Sequence, residues 1–333
     1  MNTSPLVVSM GDPCGIGPDI ILQTWKKRNS LDIPEFVVSG DADVIRQRAA
    51  LLGLEVSIEE VGRISQSGSG NLVVVAAGKP ASGIPAKPTA EDAAATIAAI
   101  DLGVDMVVEG LASALVTAPI NKETLYAVGF SHPGHTEYLA ELALHALGKE
   151  VTPVMMIAGP ELRTIPVTIH IPLSEVRSVL STDLILETVR IAARDLANRF
   201  ALRSPRIVVA GLNPHAGENG TIGMEDEEIV APAVEKLRAE GIDVKGPLPA
   251  DTLFHDRARK AYDLAVCMYH DQALIPAKTL GFDESVNVTL GLPFVRTSPD
   301  HGTAYDIAGT GKSNPESFIA ALKMAEEMVK ASR

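Results

Sequence analysis

The sequence predicts an α/β protein whose strands are mostly parallel. Short apolar runs alternate along the chain with longer segments of helical periodicity, and this alternation is typical of parallel sheets connected by helices. Apolar residues make up 46% of the 333 residues, whereas aromatic residues make up only 4%. A core built mainly from Ala, Val, Leu and Ile suits parallel strands that are covered by helices.

Short apolar runs bounded by turn-forming residues are predicted as strands. They are Leu6–Met10, Phe36–Ser39, Leu72–Val75, Ala114–Ala118, Pro153–Ala158, Arg163–His170, Arg206–Leu212, Leu264–Tyr269 and Val286–Leu290.

Longer segments of helical periodicity lie between these runs. They are Asp19–Lys27, Asp43–Leu52, Ala90–Glu109, Thr136–Leu147, Asp183–Phe200, Glu225–Glu240 and Pro315–Lys330. Pro18 is suited to the first turn of its helix, and Asp43 and Asp183 are candidate N-caps.

The charge balance excludes one broad class of function. The chain carries 42 acidic and 29 basic residues, which gives a net charge of −13. Nonspecific nucleic-acid binding needs a basic surface, so we expect no nucleic-acid partner. An anionic small substrate remains compatible with this composition if a few cations are gathered at one place.

The remaining composition predicts a cytoplasmic protein without a membrane segment. Cys14 and Cys267 are too few for a disulfide framework and are expected to be buried free thiols. No stretch reaches the roughly 18 consecutive apolar residues needed to span a bilayer, and the first residues do not resemble a secretory signal.

Three of the predicted strands each lead to a histidine, namely His170, His215 and His270. Ligands of open α/β sheets bind outside the carboxyl ends of the strands. A single histidine there is usually a structural, hydrogen-bonded residue, but three of the eight histidines share this placement. Three neutral imidazoles with an open position suit catalytic Zn²⁺, Co²⁺ or a similar divalent ion. Asp271 follows His270 directly and could orient it or transfer a proton.

Cationic and amide side chains follow the third histidine. They are Lys278, Asn287 and Arg296, and the apolar residues around Lys278 and Arg296 make simple surface exposure of these two less expected. A guanidinium, an ammonium and an amide together can bind a phosphomonoester, which carries about −1.5 to −2 charges near neutral pH. The alternative is that Lys278 and Arg296 are ordinary surface cations.

Two glycine-rich segments complete the pattern. Gly11–Pro18 follows the first strand, but its spacing matches neither the Rossmann fingerprint nor a Walker A loop. It is predicted as a tight strand-to-helix turn. The second segment, Asp300–Pro315, is rich in small residues that would let a flat nucleotide approach the backbone closely.

Several blocks in one order resemble the family of 4-hydroxythreonine-4-phosphate dehydrogenases. The resemblance covers essentially the whole chain, and the blocks together are far more specific than any one alone. They are Gly11–Pro18, Pro133–Glu137, Gly211–Glu218, Pro249–Phe254, Met268–Gln272 and Asn287–Ser298.

The resemblance implies a fold of the isocitrate/isopropylmalate dehydrogenase type, with two α/β/α domains and a cleft between them. The first domain, on the cofactor side, would comprise residues 1–125 and 283–333. The second, residues 126–282, would hold the metal ligands and the dimer interface. The family also implies a homodimer whose active site is shared between the subunits.

The resemblance assigns roles to individual residues. It implies His170, His215 and His270 as metal ligands, one of them supplied by the partner chain. It implies substrate contacts from five residues: His135, Thr136, Lys278, Asn287 and Arg296. It also implies NAD contacts from His301, Gly302, Thr303 and Asn314. Cys14 stands where relatives carry Ala, a small change.

The activity implied by the family is oxidation of the C3 hydroxyl of 4-phosphooxy-L-threonine by NAD or NADP. Loss of CO₂ would then give 3-amino-2-oxopropyl phosphate, a step of vitamin B6 biosynthesis. One divalent ion per active site, Zn, Co or Mg, would activate the hydroxyl. Lys122, Asp251 and Asp271 are candidates for the base that accepts its proton.

Other functions share these features. The same chemistry on 4-phospho-threonate or 4-phospho-erythronate would use every block named above. A metal-dependent phosphatase or hydrolase could use the same histidines but would form no NADH. A phosphate acyltransferase or a ligand-binding relative of the same fold would not need the three histidines.

Overall fold

The chain forms two compact units. The computed structural model describes residues 4–64, 70–132, 134–148 and 150–332. The first unit contains the chain up to Pro153 together with Leu292–Val329, and the second contains Val154–Gly291 and the end of the chain from Lys330. In the part of the chain described, no helix is both long and apolar enough to cross a membrane.

The strands of the described residues are numbered in chain order. They are β1 (Leu6–Ser9), β2 (Phe36–Gly40), β3 (Ile58–Val61), β4 (Leu72–Ala76), β5 (Leu115–Thr117), β6 (Val154–Ala158), β7 (Arg163–Thr168), β8 (Ile207–Ala210), β9 (Val244–Leu248), β10 (Leu264–Tyr269), β11 (Val286–Leu290) and β12 (Arg296–Pro299).

The α-helices are numbered in the same way. They are α1 (Gly17–Lys27), α2 (Ala42–Leu51), α3 (Ala90–Val108), α4 (Lys122–Tyr126), α5 (His135–Leu147), α6 (Val176–Val179), α7 (Thr182–Arg199), α8 (Ala231–Ala239), α9 (Asp256–Arg259), α10 (His270–Gly281) and α11 (Glu316–Ala331).

The first unit is built on a parallel sheet. Its strands pair in the order β3-β4-β2-β1-β5-β12, and each of these pairs is parallel. Helix α3 packs against β1 and β2. The core beneath it contains Val7, Val37, Ile100 and Leu115, which are almost completely buried. Aliphatic side chains of this kind fill the space between sheet and helix.

The second unit has a mixed sheet. Its strands pair in the order β11-β6-β7-β10-β8-β9. Strand β6 is antiparallel to both neighbours, whereas β7, β10, β8 and β9 run parallel to one another. The core includes Ile157, Val208, Ala265 and Cys267. Because β7, β10 and β8 are parallel, their carboxyl ends meet at one edge of the sheet.

The predicted α/β class is confirmed, and each run predicted as a strand forms one. Strands β3, β9 and β12 were not predicted, because their sequences, IEEV, VKGPL and RTSP, contain no apolar run. Helix α10 was not predicted either, because Pro276 lies inside this helix. The predicted helix 225–240 is a π-helical turn, Asp226–Val230, followed by α8.

The two proposed N-caps were each wrong by two residues. Pro18 does lie in the first turn of α1. However, Asp41 rather than Asp43 caps α2, and Ser181 rather than Asp183 caps α7. In both helices the acidic residue lies in the first turn, where it interacts favourably with the helix dipole. Only the capping residue accepts a backbone N–H.

Asp92 is the polar centre of a loop-to-helix junction in the first unit. Its buried carboxylate accepts the backbone N–H groups of Ser82 at 2.8 Å, Gly83 at 3.1 Å and Thr89 at 2.9 Å. The hydroxyls of Ser82 and Thr89 donate to it as well. Burial alone would raise the pKa of Asp92, but these donors outweigh burial and hold the pKa below 3.8.

We therefore expect Asp92→Asn to lower the free energy of unfolding at pH 7 by roughly 1–3 kcal/mol, because an amide cannot satisfy the same donors. The folded-state pKa lies below the unfolded value, so this contribution is complete above about pH 4 and is lost as the pH falls further. Denaturant unfolding, repeated at intervals on the order of one pH unit between pH 3 and pH 7, measures this contribution to the free energy of unfolding. The exposed neighbour substitution Glu91→Gln is the control, and an equal loss in both variants would contradict the assignment.

Candidate functional site

Two predicted histidine ligands lie side by side in the second unit. His170 follows β7 by two residues, and His270 is the first residue of α10, directly after β10. Because β7 and β10 are paired parallel strands, the two rings come together with their centroids 5.5 Å apart. Asp271 Oδ1 lies 2.8 Å from His270 Nδ1. A proton shared there leaves Nε2 of His270 available to a ligand.

His215 lies at the same edge of the sheet, in the short turn Pro214–Gly217 beyond β8. The prediction that this histidine shares a metal ion with the other two, one of them supplied by the partner chain, stays a prediction. Among the described residues of a single chain, no three His, Cys, Asp or Glu side chains are close enough together to hold a metal ion. The described residues of one chain bring His170 and His270 side by side.

Two of these histidines have a strained backbone. His170 has φ +49° and His215 has φ +53°, and Ala216, Glu218 and Asn219 also have positive φ. Residues other than glycine rarely adopt this left-handed backbone conformation. It costs of order 1–3 kcal/mol per residue, and such strained residues are found preferentially at functional sites. The strain therefore marks both histidines as candidates for more than structural roles.

Gln272 connects the segments that carry His215 and His270. Its Nε2 donates to the carbonyl of Gly211 at 2.8 Å, and its Oε1 accepts the N–H of Met268 at 2.7 Å. Gly211 begins the segment that leads to His215, and Met268 lies two residues before His270. The side chain of Gln272 thus fixes the ends of β8 and β10 relative to each other.

A cavity of about 250 Å³ opens beside the paired histidines. It is lined by Thr168, His170, Ile171, Leu173, Val176, Tyr269, His270 and Asp271. The apolar part of this lining lowers the local dielectric constant, which strengthens interactions of the polar groups that face the cavity. Asp251, another predicted catalytic residue, is exposed on the turn Ala250–Thr252, and this turn packs against the turn of His215.

The first unit contains a separate group of cationic and imidazole side chains. Arg296, at the start of β12, is 2% exposed and donates from Nη2 to Thr117 Oγ1 of β5 at 2.6 Å. Burial lowers the pKa of Arg296 to about 9. The guanidinium therefore keeps its charge at neutral pH while lying almost entirely out of water.

His135 belongs to the same group as Arg296. It begins α5, and burial, Arg296 and Lys122 together lower its pKa well below 6.5, so the imidazole is neutral at pH 7. Its Nε2 atom is buried without a hydrogen-bond partner among the described residues. Lys122 begins α4 and lies beside the backbone of Gly134. We name Lys122, His135 and Arg296 the cation cluster.

The other predicted substrate contacts have different settings. Thr136 is half-buried and follows His135 in α5. Lys278 and Asn287 belong to the second unit, on α10 and β11. Lys278 Nζ lies 5.8 Å from the ring centroid of Phe282, and the buried Oδ1 of Asn287 meets no partner within the described part of the chain.

The segment predicted to bind NAD is held by the first glycine-rich block. The carbonyl of Thr303 accepts the N–H of Ile16 at 2.9 Å. A Cβ atom at Gly15 would lie only 2.9 Å from Thr303 Cβ, so this close approach requires glycine. Tyr305 donates to Asp12 at 2.5 Å. Gly11–Pro18 is thus more than the tight turn that its sequence predicts.

The other predicted NAD contacts, His301, Gly302 and Asn314, lie on either side of Thr303 in the sequence. His301 Nδ1 lies 3.1 Å from the carbonyl of Gly302, and its Nε2 is buried without a partner among the described residues. A Cβ added at Gly302 would meet no heavy atom within 4 Å in that same part of the chain. Asn314 is exposed and accepts the N–H of Glu316 at the start of α11.

Three residues that contribute to these sites could not be singled out from the sequence. Gln272 lies inside a block that was noticed for its histidine, and Thr117 gives no signal beyond its position at the end of a strand. Asp226 is buried beneath the turn of His215. Its only sequence signal is an acidic residue in the glycine-rich neighbourhood of that histidine.

Comparison with known proteins identifies the family. Residues 32–325 match the family model described as "Pyridoxal phosphate biosynthetic protein PdxA". The chain is 53% identical over 330 residues to the 4-hydroxythreonine-4-phosphate dehydrogenase of Xanthobacter autotrophicus, which covers 98% of this chain and 94% of that relative. It is 52% identical over 337 residues to the enzyme of the same name from Bradyrhizobium diazoefficiens, covering 98% and 97%.

Solved structures agree with this result. The structure of 4-hydroxythreonine-4-phosphate dehydrogenase from Klebsiella pneumoniae matches with a TM-score of 0.87 and 38% identity, covering 98% of this chain and 100% of that one. A terephthalate 1,2-cis-dihydrodiol dehydrogenase from Burkholderia xenovorans matches less well, with a TM-score of 0.67 and 25% identity, covering 98% of both chains. The family model and the high identity over nearly the full length together show that the chain belongs to the PdxA family of pyridoxal phosphate biosynthetic proteins.

Proposed function

We propose that this chain is an NAD-dependent 4-hydroxythreonine-4-phosphate dehydrogenase. It oxidises the C3 hydroxyl of 4-phosphooxy-L-threonine: the hydride goes to NAD⁺, and the hydroxyl proton goes to a base on the protein. The resulting β-keto acid loses CO₂ and takes up a proton to give 3-amino-2-oxopropyl phosphate. Membership of the PdxA family, with relatives that carry this name at more than 50% identity, supports the reaction.

The observation that carries the proposal is the cation cluster. A buried guanidinium is costly to desolvate, and both charged influences on the nearby His135 come from cations, Arg296 and Lys122. A dianionic phosphate would relieve this unfavourable arrangement through charge-assisted hydrogen bonds. The neutral His135 can donate one further hydrogen bond to it. Thr136, Lys278 and Asn287 are proposed as additional substrate contacts.

The donor set of the second unit fits a divalent ion. Imidazole nitrogens suit Zn²⁺ or Co²⁺ better than Mg²⁺, His170 and His270 are adjacent, and His170 and His215 have strained backbones. Catalytic sites of this kind use three protein ligands, and we propose that a homodimer completes the set, with one histidine from the partner. When bound, the ion supplies Lewis-acid activation of the substrate hydroxyl and of the ketone that forms.

The protein's own groups then handle the proton and the cofactor. Asp271 holds His270 in one orientation through the 2.8 Å contact to Nδ1. Asp271, Asp251 and Lys122 are the proposed acceptors of the hydroxyl proton. The segment from His301 to Asn314, fastened by Asp12 and Ile16, is proposed to bind NAD, with contacts from His301, Gly302, Thr303 and Asn314. The binding of substrate and nicotinamide in one geometry lowers the entropic cost of hydride transfer.

The reaction itself is tested by incubating the purified protein, a divalent ion and NAD⁺ with 4-phosphooxy-L-threonine or 4-phospho-threonate in parallel. We expect NADH formation and CO₂ release with the first substrate at a kcat/KM at least tenfold higher, a difference of about 1.4 kcal/mol. The same assay with NADP⁺ compares the cofactors. Preference for 4-phospho-threonate would assign the substrate differently, and absence of NADH with either would contradict the dehydrogenase.

His215→Ala is expected to abolish turnover and to weaken metal uptake, because it removes one imidazole donor. Metal content after dialysis against Zn²⁺ measures the second effect, and circular dichroism reports whether the fold is kept. His145→Ala, which removes an exposed histidine of the first unit, is the control and should retain both properties. Unchanged metal content and activity in His215→Ala would exclude a metal role for this residue.

Arg296→Ala is expected to raise KM for the phosphorylated substrate by roughly 10- to 100-fold, since hydrogen bonds to charged groups contribute about 1.5–3 kcal/mol. KM for the unphosphorylated analogue should change much less. Steady-state kinetics with both compounds measures the difference, and Arg46→Ala, at an exposed cation of α2, is the control. An equal rise for both compounds would show that Arg296 does not bind the phosphate.

A further inference from the structure

The second unit contains a buried carboxylate to which the proposed reaction gives no part. Asp226, the first residue of the π-helical turn Asp226–Val230, is fully buried. None of the ion pairs found among the described residues involves it. A carboxylate that is buried in this way is retained only if backbone or side-chain donors satisfy it. π-helical turns are also frequent at functional sites.

The donors to Asp226 come from the segment that leads to His215. Its Oδ1 accepts the backbone N–H of Leu212 at 2.7 Å, and its Oδ2 accepts the backbone N–H of Asn213 at 3.0 Å. The side chain of Asn213 donates to Oδ2 at 3.2 Å and to Glu225 Oε2 at 2.9 Å. One carboxylate therefore fixes the backbone N–H groups of the two residues that immediately precede Pro214.

The chain after His215 rests on the same side chain. A Cβ added at Gly217 would lie 3.3 Å from Asp226 Cβ, and one added at Gly211 would lie 3.0 Å from Asp226 Oδ1. These distances are tight, so glycine is needed on both sides of the turn for it to pack this closely around the carboxylate. Asp226 thus contacts the segment both before and after His215.

We propose that Asp226 is the positioning residue for His215: it holds the 211–219 turn in the strained conformation that presents the imidazole to the metal. Consecutive residues with positive φ persist only where the surrounding structure determines them, and Asp226 provides the hydrogen bonds that do so. This inference rests on the proposed function in one respect, the assignment of His215 as a metal ligand. The statement that Asp226 holds the 211–219 turn in its conformation does not depend on that assignment.

Asp226→Asn tests the proposal because it keeps the shape of the side chain. One of the two acceptor oxygens becomes an NH₂ group that faces backbone N–H donors, so at least one hydrogen bond is lost. Outer-shell partners of metal ligands typically change metal affinity by about 10- to 100-fold. Calorimetric titration of the metal-free, full-length protein with Zn²⁺ or Co²⁺ should show a loss in this range, and excess metal should restore kcat.

A second measurement does not depend on metal. Amide hydrogen exchange of the metal-free protein should become at least roughly tenfold faster across 211–219 in Asp226→Asn and stay unchanged in β7 and β10. Asn213→Ala removes only the side-chain donor and should give a smaller change in the same direction. It provides the test if Asp226→Asn does not fold.

Asp195→Asn is the matched control. Asp195 is 3% exposed, lies in the same unit and accepts the N–H of Gly291 at 2.7 Å, far along the chain from the His215 turn. This variant should keep wild-type metal affinity and wild-type exchange in 211–219. Wild-type exchange and metal affinity in Asp226→Asn, or in Asn213→Ala if the first variant is unfolded, would overturn the proposal. Absence of metal binding by the wild-type protein would instead overturn the metal role of His215, and the exchange data would still decide whether Asp226 holds the turn.

Discussion

The parallel pairing of β7, β10 and β8 is the constraint on which the second unit's candidate site depends. Parallel strands place all their carboxyl ends at one edge, so residues about 100 positions apart in sequence, such as His170 and His270, come to lie 5.5 Å apart between ring centroids. Gln272 fixes this edge by bonding to the ends of two strands. Without the shared direction of the strands, these histidines would have no common neighbourhood.

The buried carboxylates Asp92 and Asp226, one in each unit, follow one rule: each is surrounded by the donors that its charge requires. Asp92 and Asp226 collect several N–H donors, which offsets the desolvation of a carboxylate. The cation cluster departs from the rule, because Arg296 and Lys122 both act on His135 and make its protonation unfavourable. Such departures concentrate at functional sites, which is why the cluster supports an anionic substrate.

Much of the fold could be predicted because apolar runs and helical periodicity are local properties of the sequence. The parts that could not be predicted are those where local preference and tertiary packing differ. Strand β12 reads RTSP and is buried through pairing with β5, and α10 continues through Pro276. Asp43 and Asp183 were expected as caps, but residues Asp41 and Ser181 have the extended backbone and the side-chain bond that capping requires.

The sequence by itself determined the α/β class, the family and the identity of most candidate site residues, because these depend on residue types in a fixed order along the chain. Only the tertiary structure decided which of them meet. It joined Arg296 to His135 and Lys122, paired His170 with His270, and placed Asp226 beneath the His215 turn. The physical reason is that hydrogen bonds, charge interactions and backbone strain act through space over a few ångströms, and sequence separation carries no information about such distances.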